Sequence, residues 1–575
     1  MRLASGTFRL WSAFCVVAFV LSLFAARLVQ LQGIDENDYA AMAAKKGAKT
    51  ITIEAPRAPI SDRDGAPLAR TVDAAKLVAD PTYTKKNAVQ IATLLHDRLG
   101  IDYLDTVALL RKPDTRYVQL ARHLHPEKAS SVVKALNKAD LAGVYVDEDT
   151  LRIYPAGDVA ANIVGFVGAD DQGLAGIEHS LNSTLAGKDG SATFEMADGQ
   201  QLPLADSTVA EPKEGTGVRL TLDQDLQFLA QRRLTQAVKE SGGTSGNAIV
   251  MDTKTGQVLA LADYPTFDAN HYKQADSENF GSQALQDVYE PGSVEKVLTF
   301  AALIDGGYVT PRTKISVPPV LHRGPNDIHD YFSHGDLHLT ATGVVAKSSN
   351  IGTVLASEQM PKRELYHYLH SFGLGSKTGV DIDGEAAGLL PKPDTWLRIK
   401  RDTIAFGQGM SVNALQMASA ISAVANGGTY VAPSLIEGSV DHDGSFTPAS
   451  PPEEHRVVSR HAAHAVARMM EAVVGPDGTA PTANIKGYRV AGKTGTAQRV
   501  GPDGHYDGSY TVSFGGFAPA DNPRFCVYVV VQQPSNGGGG GSIGGPVFHD
   551  LMAAALQKFG VPPTGRHQPE LPVTW

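Results

Sequence analysis

The sequence predicts a mixed α+β protein carried on one N-terminal membrane helix, and three observations predict it. An uncharged apolar run opens the chain at residues 10–26, LWSAFCVVAFVLSLFAA. Strand-like segments at 489–498, 509–517 and 524–532 follow one another through short turns, as neighbouring antiparallel strands do. Helical patterns flank them without a repeating strand–helix–strand unit, which favours α+β over a doubly wound sheet. A chain of 575 residues is long enough for about two to four domains.

The apolar run follows a short basic segment with Arg2 and Arg9, and residues 28–32 extend it past Arg27. Its length suits an uncleaved anchor over residues 10–31 better than a signal peptide, although Ala25-Ala26 would serve as a weak cleavage site. Arginines before the span and the acidic DEND of 35–38 after it place the first nine residues in the cytoplasm and the bulk outside. Residues 32–216 then alternate strand and helix signals. Residues 49–54 read as a strand, 86–98 and 127–141 as helices, and 144–146 with 151–154 as two short strands around an acidic turn. No nucleophile–base pair stands out here, so this part is read as a noncatalytic pedestal.

A boundary near the EPKEGTG of 211–217 opens a second part over 217–560. It begins with a strand at 218–222 and a helix capped by Asp223, then a hairpin over 247–262. Residues 405–428 read as one long small-residue helix, 455–474 as another and 546–559 as a closing helix. The five glycines 537–541 are expected to form a mobile loop, and the Pro-rich tail 561–575 to be loose. A net charge of -10 argues against a general nucleic-acid binder. Four histidines between 322 and 338 lack the spacing and partner glutamate of a helical metal site, so neither metal nor cofactor is expected. The two cysteines, Cys15 and Cys526, make no disulfide framework.

The chemistry is carried by three short motifs in order. In DVYEPGSVEK, residues 287–296, Ser293 stands three residues before Lys296 near a helix start, which puts both on one face. Ser348-Ser349-Asn350 lies in the turn before another helix, and Lys493-Thr494-Gly495-Thr496 on an edge-forming strand. Each motif has decoys: Ser131 and Lys134 repeat the first spacing in a charged helix of the pedestal, S-x-N recurs at Ser180, Ser245, Ser277 and Ser411, and Lys377 begins a second KTG after a glycine-rich turn. Only the assembled set lies in one domain at helix and strand ends. A serine hydroxyl needs a base, and Lys296 serves only if burial or a nearby cation lowers its pKa toward neutral. Lys493 would supply that cation, Ser348 a proton relay to a leaving amine, and Asn350 a hydrogen bond to Lys296 or a substrate amide. The backbone N–H groups of Ser293 and Thr496 would form an oxyanion hole, roughly 3–4 kcal/mol per donor.

This set is the S-x-x-K, S-x-N and K-T-G signature of serine–lysine acyl transfer. Nearly the whole chain resembles the class B penicillin-binding proteins, monofunctional peptidoglycan D,D-transpeptidases. RAPISDRDG at 57–65 is similar to that family's RGxIxDRNG, departing at Ala58 and Asp64, and GLAGIE at 173–178, VRLTLDQDLQ at 218–227, GQG at 407–409 and GPVF at 545–548 also match. The resemblance implies a penicillin-binding, serine β-lactamase-like domain with an antiparallel sheet flanked by helices. It further implies an acyl-enzyme on Ser293 formed from a stem peptide ending in D-Ala-D-Ala, carboxylate binding by Lys493, Thr494 and Thr496, and acylation by β-lactams. The length and compact pedestal lean toward division, with a SEDS-type glycosyltransferase and other division proteins as partners; an elongation role, a D,D-carboxypeptidase and a catalytically impaired scaffold are the alternatives. Glu295 departs from the family, whose members carry other residues between nucleophile and base. Helical direction turns it away from the Ser293–Lys296 face, so altered packing is expected, with contact to the donor peptide or a lowered β-lactam affinity as the other reading.

Overall fold

The computed structural model of the protein describes residues 6–30, 48–197, 200–201, 208–380, 382–501, 504–565 and 570–575. The chain divides into two compact units, one of residues 1–56 with 187–214 and one of 57–186 with 215–575. The first contains the helix Gly6–Val29, whose 24 residues at 1.5 Å each exceed the roughly 30 Å of a bilayer core. Among the described residues it is the one helix long and apolar enough to cross a membrane, with mean hydropathy 2.2. The acidic stretch 35–38 lies outside the described residues. Also in this unit, Ala48–Ile53 pairs antiparallel with Gly190–Ala197, which takes Thr208–Ala210 on its other side.

In the second unit a seven-stranded sheet runs from the pedestal segment into the later chain. Ile60–Ser61 lies parallel to Gly217–Leu220 and antiparallel to Pro67–Ala79, while Gly217–Leu220 also pairs with Ile436–Val440. The segments 144–146 and 151–154 are not two short strands. Val144–Ile153 is one strand, ten residues paired in register with Pro67–Ala79. The acidic residues that resemble a turn are cross-strand partners instead: Asp147 stands opposite Lys76, 3.8 Å between charged atoms, and Asp149 is gripped by Arg122 at 2.7 Å. A separate apolar core under this lobe joins Leu77, Ile91, Leu95, Val132 and Leu136.

The catalytic sheet has five antiparallel strands in the order Val258–Tyr264, Ser245–Asp252, Phe525–Gln532, Tyr506–Ala518, Ala491–Val500. Its central strand Phe525–Gln532 is buried along its whole length, as a strand covered on both faces must be. Asp223 caps the helix Gln224–Ser241 by accepting from Leu226 N, as its position suggests. The helix within 405–428 is shorter than its small-residue run: it starts only at Ala414, where Asn413 and Gln416 form a reciprocal cap. Residues 405–413 are held instead as an irregular segment against the nucleophile turn. The Pro-rich end is also not loose where described. Thr574 bridges Leu339, Trp575 N donates to His338 O, and the indole ring sits 4.7 Å from Lys314 Nζ.

Candidate active site

Ser293 sits in a single 3-10 turn, Gly292–Val294, which feeds the helix Lys296–Asp305. Nine of that helix's ten residues are buried, so Lys296 points its amine through apolar surroundings. The turn presses against the edge strand Ala491–Val500, and two glycines make this possible. Gly292, at φ +55°, would place a Cβ 3.0 Å from Thr496 O, and Gly495 would place one 2.7 Å from Val294 Cγ2. In a strand a residue's C=O and N–H point to the same edge. Because Thr496 O faces the nucleophile turn, its N–H faces that side too, where no further strand pairs among the described residues.

A cleft of about 950 Å³ opens here, with Ser293, Ser348, Asn350, Thr494 and Thr496 in its lining. Lys296, Lys493 and Gly495 lie behind that surface; both amines are wholly buried. Lys296 Nζ donates to Ser348 O and to Asn350 Oδ1, each at 2.7 Å. Lys493 Nζ donates to Ser348 Oγ at 2.7 Å and to Thr494 O at 2.9 Å. Ser348 thus links the two lysines, its carbonyl on one and its hydroxyl on the other. It does so from φ +59°, a left-handed conformation uncommon outside glycine, at the end of the helix Ala341–Lys347.

Burial lowers the Lys296 pKa to about 7, against a smaller upward pull from the charges of Asp330 and then Glu295. Lys493 is pushed well below its ordinary value, first by burial and then by the charge of Lys296. Of the two causes the sequence offers for a neutral Lys296, burial and a nearby cation, the structure puts desolvation first. Two buried amines bridged by one serine cannot both be charged without large cost, so the pair holds a dissociable proton near neutrality.

Glu295 is fully buried and absent from the cleft lining, with Oε1 accepting from Thr299 Oγ1 at 2.6 Å. It is therefore a packing residue of the helix interior, not a contact for a bound peptide. The five glycines are also not a free loop: Gly538 to Gly541 line the cleft, and residues 540–544 form a single π-helical turn. A Cβ at Gly540 would lie 2.1 Å from Ser513 O and 2.7 Å from Gly495 O, so this backbone packs directly onto the sheet behind the KTG segment.

Sequence reading missed several groups. Glu290 joins three segments, accepting from Gly409 N at 2.7 Å and from Tyr506 OH at 3.1 Å. Thr479 and Thr494 share a hydroxyl hydrogen bond of 3.0 Å at the cleft. Asp330 accepts from Ser349 Oγ at 2.6 Å and from Ile351 N at 3.0 Å, bracing the Ser348–Asn350 turn from behind. The available signal was an aspartate in a histidine-rich window that has no helical metal pattern. The decoys lie elsewhere: Ser131 is in the pedestal helix Pro126–Lys138, and the second KTG at Lys377 is loop, with Thr378 N donating to Glu385.

Comparison with known proteins agrees with this geometry. Residues 246–553 match the penicillin-binding protein transpeptidase domain, and residues 52–220 the penicillin-binding protein dimerisation domain. The chain is 35% identical to penicillin-binding protein PbpB of Mycobacterium tuberculosis over 98% of its own length and 86% of that protein's. It is 31% identical to the peptidoglycan D,D-transpeptidase FtsI of Escherichia coli, covering 95% and 91%. Among solved structures, a peptidoglycan synthetase from Bifidobacterium adolescentis superposes with TM-score 0.75 at 30% identity, covering 92% of this chain and all of that one. Penicillin-binding protein 3 of M. tuberculosis in complex with aztreonam gives 0.72 at 33% identity, covering 91% and 100%. The chain belongs to the class B penicillin-binding proteins, serine-type D,D-transpeptidases of mixed α+β fold that act on peptidoglycan stem peptides and are targets of β-lactams.

Proposed function

We propose that Ser293 is the acylated residue of a septal D,D-transpeptidase anchored by its N-terminal helix. Ser293 Oγ attacks the carbonyl of the penultimate D-Ala of a donor stem peptide while Lys296, as the free amine, takes the hydroxyl proton. The N–H groups of Ser293 and Thr496 stabilise the oxyanion. Collapse of the tetrahedral intermediate breaks the D-Ala–D-Ala bond. The leaving D-Ala amine receives a proton through Ser348 Oγ, which Lys493 holds at 2.7 Å. Lys493, Thr494 and Thr496 bind the donor's terminal carboxylate, and Gly495 lets this strand approach. An acceptor amine from a second stem peptide then attacks the ester and releases Ser293. The observation that carries this reading is the convergence of three distant motifs on Ser348, within 2.7 Å of both lysines.

The remaining assignments rest on the same reading. Residues 32–216 serve as pedestal, 217–560 as the transpeptidase domain and 561–575 as a tail. Residues 1–9 are cytoplasmic, 10–31 span the membrane once, and the cleft is extracytoplasmic, which the arginines before the span support. Similarity to PbpB and FtsI supports a division role, in which a SEDS-type glycosyltransferase and other division proteins are the expected partners. The test is labelling of the full chain in detergent with a fluorescent penicillin. A covalent adduct is expected that disappears in Ser293→Ala and persists in Ser131→Ala; label retained without Ser293 sinks the assignment. Product analysis with two stem peptides then separates cross-linking from simple D-Ala release.

A further inference from the structure

Behind the Ser348–Asn350 turn lies a pair of ionisable side chains that the acyl-transfer chemistry does not use. The Asp330 side chain is fully buried and that of His334 only 5% exposed. Asp330 Oδ2 accepts from Ser349 Oγ at 2.6 Å and faces His334 Nε2 at 3.1 Å, while Oδ1 accepts from Ile351 N. One residue earlier, His329 O accepts from Asn350 Nδ2 at 3.0 Å, the amide whose oxygen takes the Lys296 proton donor at 2.7 Å. The segment 329–334 therefore holds Asn350 from both sides. The second nitrogen of His334, Nδ1, stands 2.5 Å from Gly335 O. A carboxylate faces one ring nitrogen and a carbonyl faces the other, so this pocket offers an acceptor to each N–H of a doubly protonated ring. With its ring in that form, His334 would make with Asp330 a buried ion pair of little net charge.

We propose that Asp330 and His334 are positioning residues that fix Asn350 and set the electrostatic field at Lys296; this rests on the reading of Lys296 as the base. The groups facing Lys296 are Asp330 from this loop, Glu295 at the start of its own helix, and Lys493 from the edge strand. The negative charge of Asp330 draws a proton onto Lys296 and works against its use as a base. The positive charge of His334 offsets Asp330 and works the other way. A brace that only held geometry would weaken acylation without moving its pH dependence. A charge pair makes a sharper demand: removing its two members must move the acid limb in opposite directions. With an effective dielectric near 20, a neighbouring charge is worth roughly one to two pH units.

The experiment measures the second-order rate of acylation by a fluorescent penicillin from about pH 5.5 to 9, on the full chain in detergent. Wild type, Lys296→Met, Asp330→Asn and His334→Gln are compared. The midpoint of the acid limb is expected to fall by about one unit in Asp330→Asn and to rise by about one unit in His334→Gln. Midpoints that stay put, or move the same way, overturn the proposal even where rates drop. Should Asp330→Asn fail to fold, His334→Gln decides alone: an upward shift supports the pair and an unmoved midpoint overturns it. Lys296→Met separates this from the underlying assignment. If acylation and its limb survive that change, Lys296 is not the base and both readings fall; if they are lost, the limb belongs to Lys296 and only the pair is on trial.

Discussion

Glu178 and Glu295 are both fully buried, and they are treated in opposite ways. Glu178, in the pedestal segment, has arginine on both carboxylate oxygens: Arg57 Nε at 2.6 Å on Oε2 and Arg152 Nε at 2.7 Å on Oε1. The arginines reach onward, Arg152 to the carbonyls of Arg57 and Ala58 and Arg57 to Glu178 O, so the ion cluster locks strands and turns of the pedestal together. Glu295, beside the base, has a hydrogen bond from Thr299, and its Oε2 has no hydrogen-bond partner among the described residues. Burial drives its pKa well above the ordinary carboxylate range, the Thr299 bond and the Lys296 charge pulling only partly back. A carboxylate saturated by guanidinium donors is a structural joint. An acid left unpaired in a dry interior gives up its charge instead.

The largest effect is expected on the saturated side. Arg152→Ala leaves Glu178 with half its compensation in a place water does not reach, and the loss should be about 3–5 kcal/mol. Chemical denaturation measures it. A loss below about 1 kcal/mol would mean that the cluster is not the joint described above.

Next comes Lys296, whose pKa is lowered to about 7 in the folded chain. The sign follows from linkage. Between about pH 7 and the unfolded value near 10.4 the unfolded amine holds a proton that the folded one lacks, so stability rises with pH in that window and is lost as pH falls toward 7. The stability difference between wild type and Lys296→Met should therefore change by roughly 1.4 kcal/mol per pH unit from pH 7 to 9, moving in favour of wild type. A difference that is flat with pH would place the Lys296 pKa at its ordinary value and remove the basis for its role as a base.

How much of this was legible in the sequence depends on whether a residue's role is local. Ser293, Lys296, Ser348, Asn350 and Lys493 could be picked out because their chemistry needs particular side chains at fixed short spacings. Asp223 was legible as a cap and the hairpin of 247–262 as a turn between apolar strands, since both signals lie within a few residues. Asp147 and Asp149 read as turn because their partners, Lys76 and Arg122, are on other strands. Asp330 and His334 were hidden for the same reason: the pair becomes visible only when the turn of Ser349 is folded onto it. The glycines 537–541 suggested freedom because composition reports conformational permissiveness, not the backbone contact with Ser513 and Gly495 that requires small residues. The tail's prolines likewise suggested a loose end, yet Thr574 finds an open strand edge at Leu339.

The smallest expected effect is the one that tests the contrast most directly. Glu295→Met keeps the length of the side chain while removing the unpartnered oxygen, and Thr299 Oγ1 can turn to a helix carbonyl one turn earlier. Stability at neutral pH should stay level or rise by about 1 kcal/mol. The gain should grow as pH rises above about 4.3, because the unfolded carboxyl ionises there while the folded one resists, so wild type loses stability across that window. Acylation by a fluorescent penicillin should stay within about threefold, as Glu295 is absent from the cleft lining. The matching change Glu178→Met strands two buried guanidinium groups and should cost several kcal/mol. A Glu295→Met protein that loses more than about 2 kcal/mol would show that Oε2 has a partner worth keeping, and the two buried acids would then be of one kind.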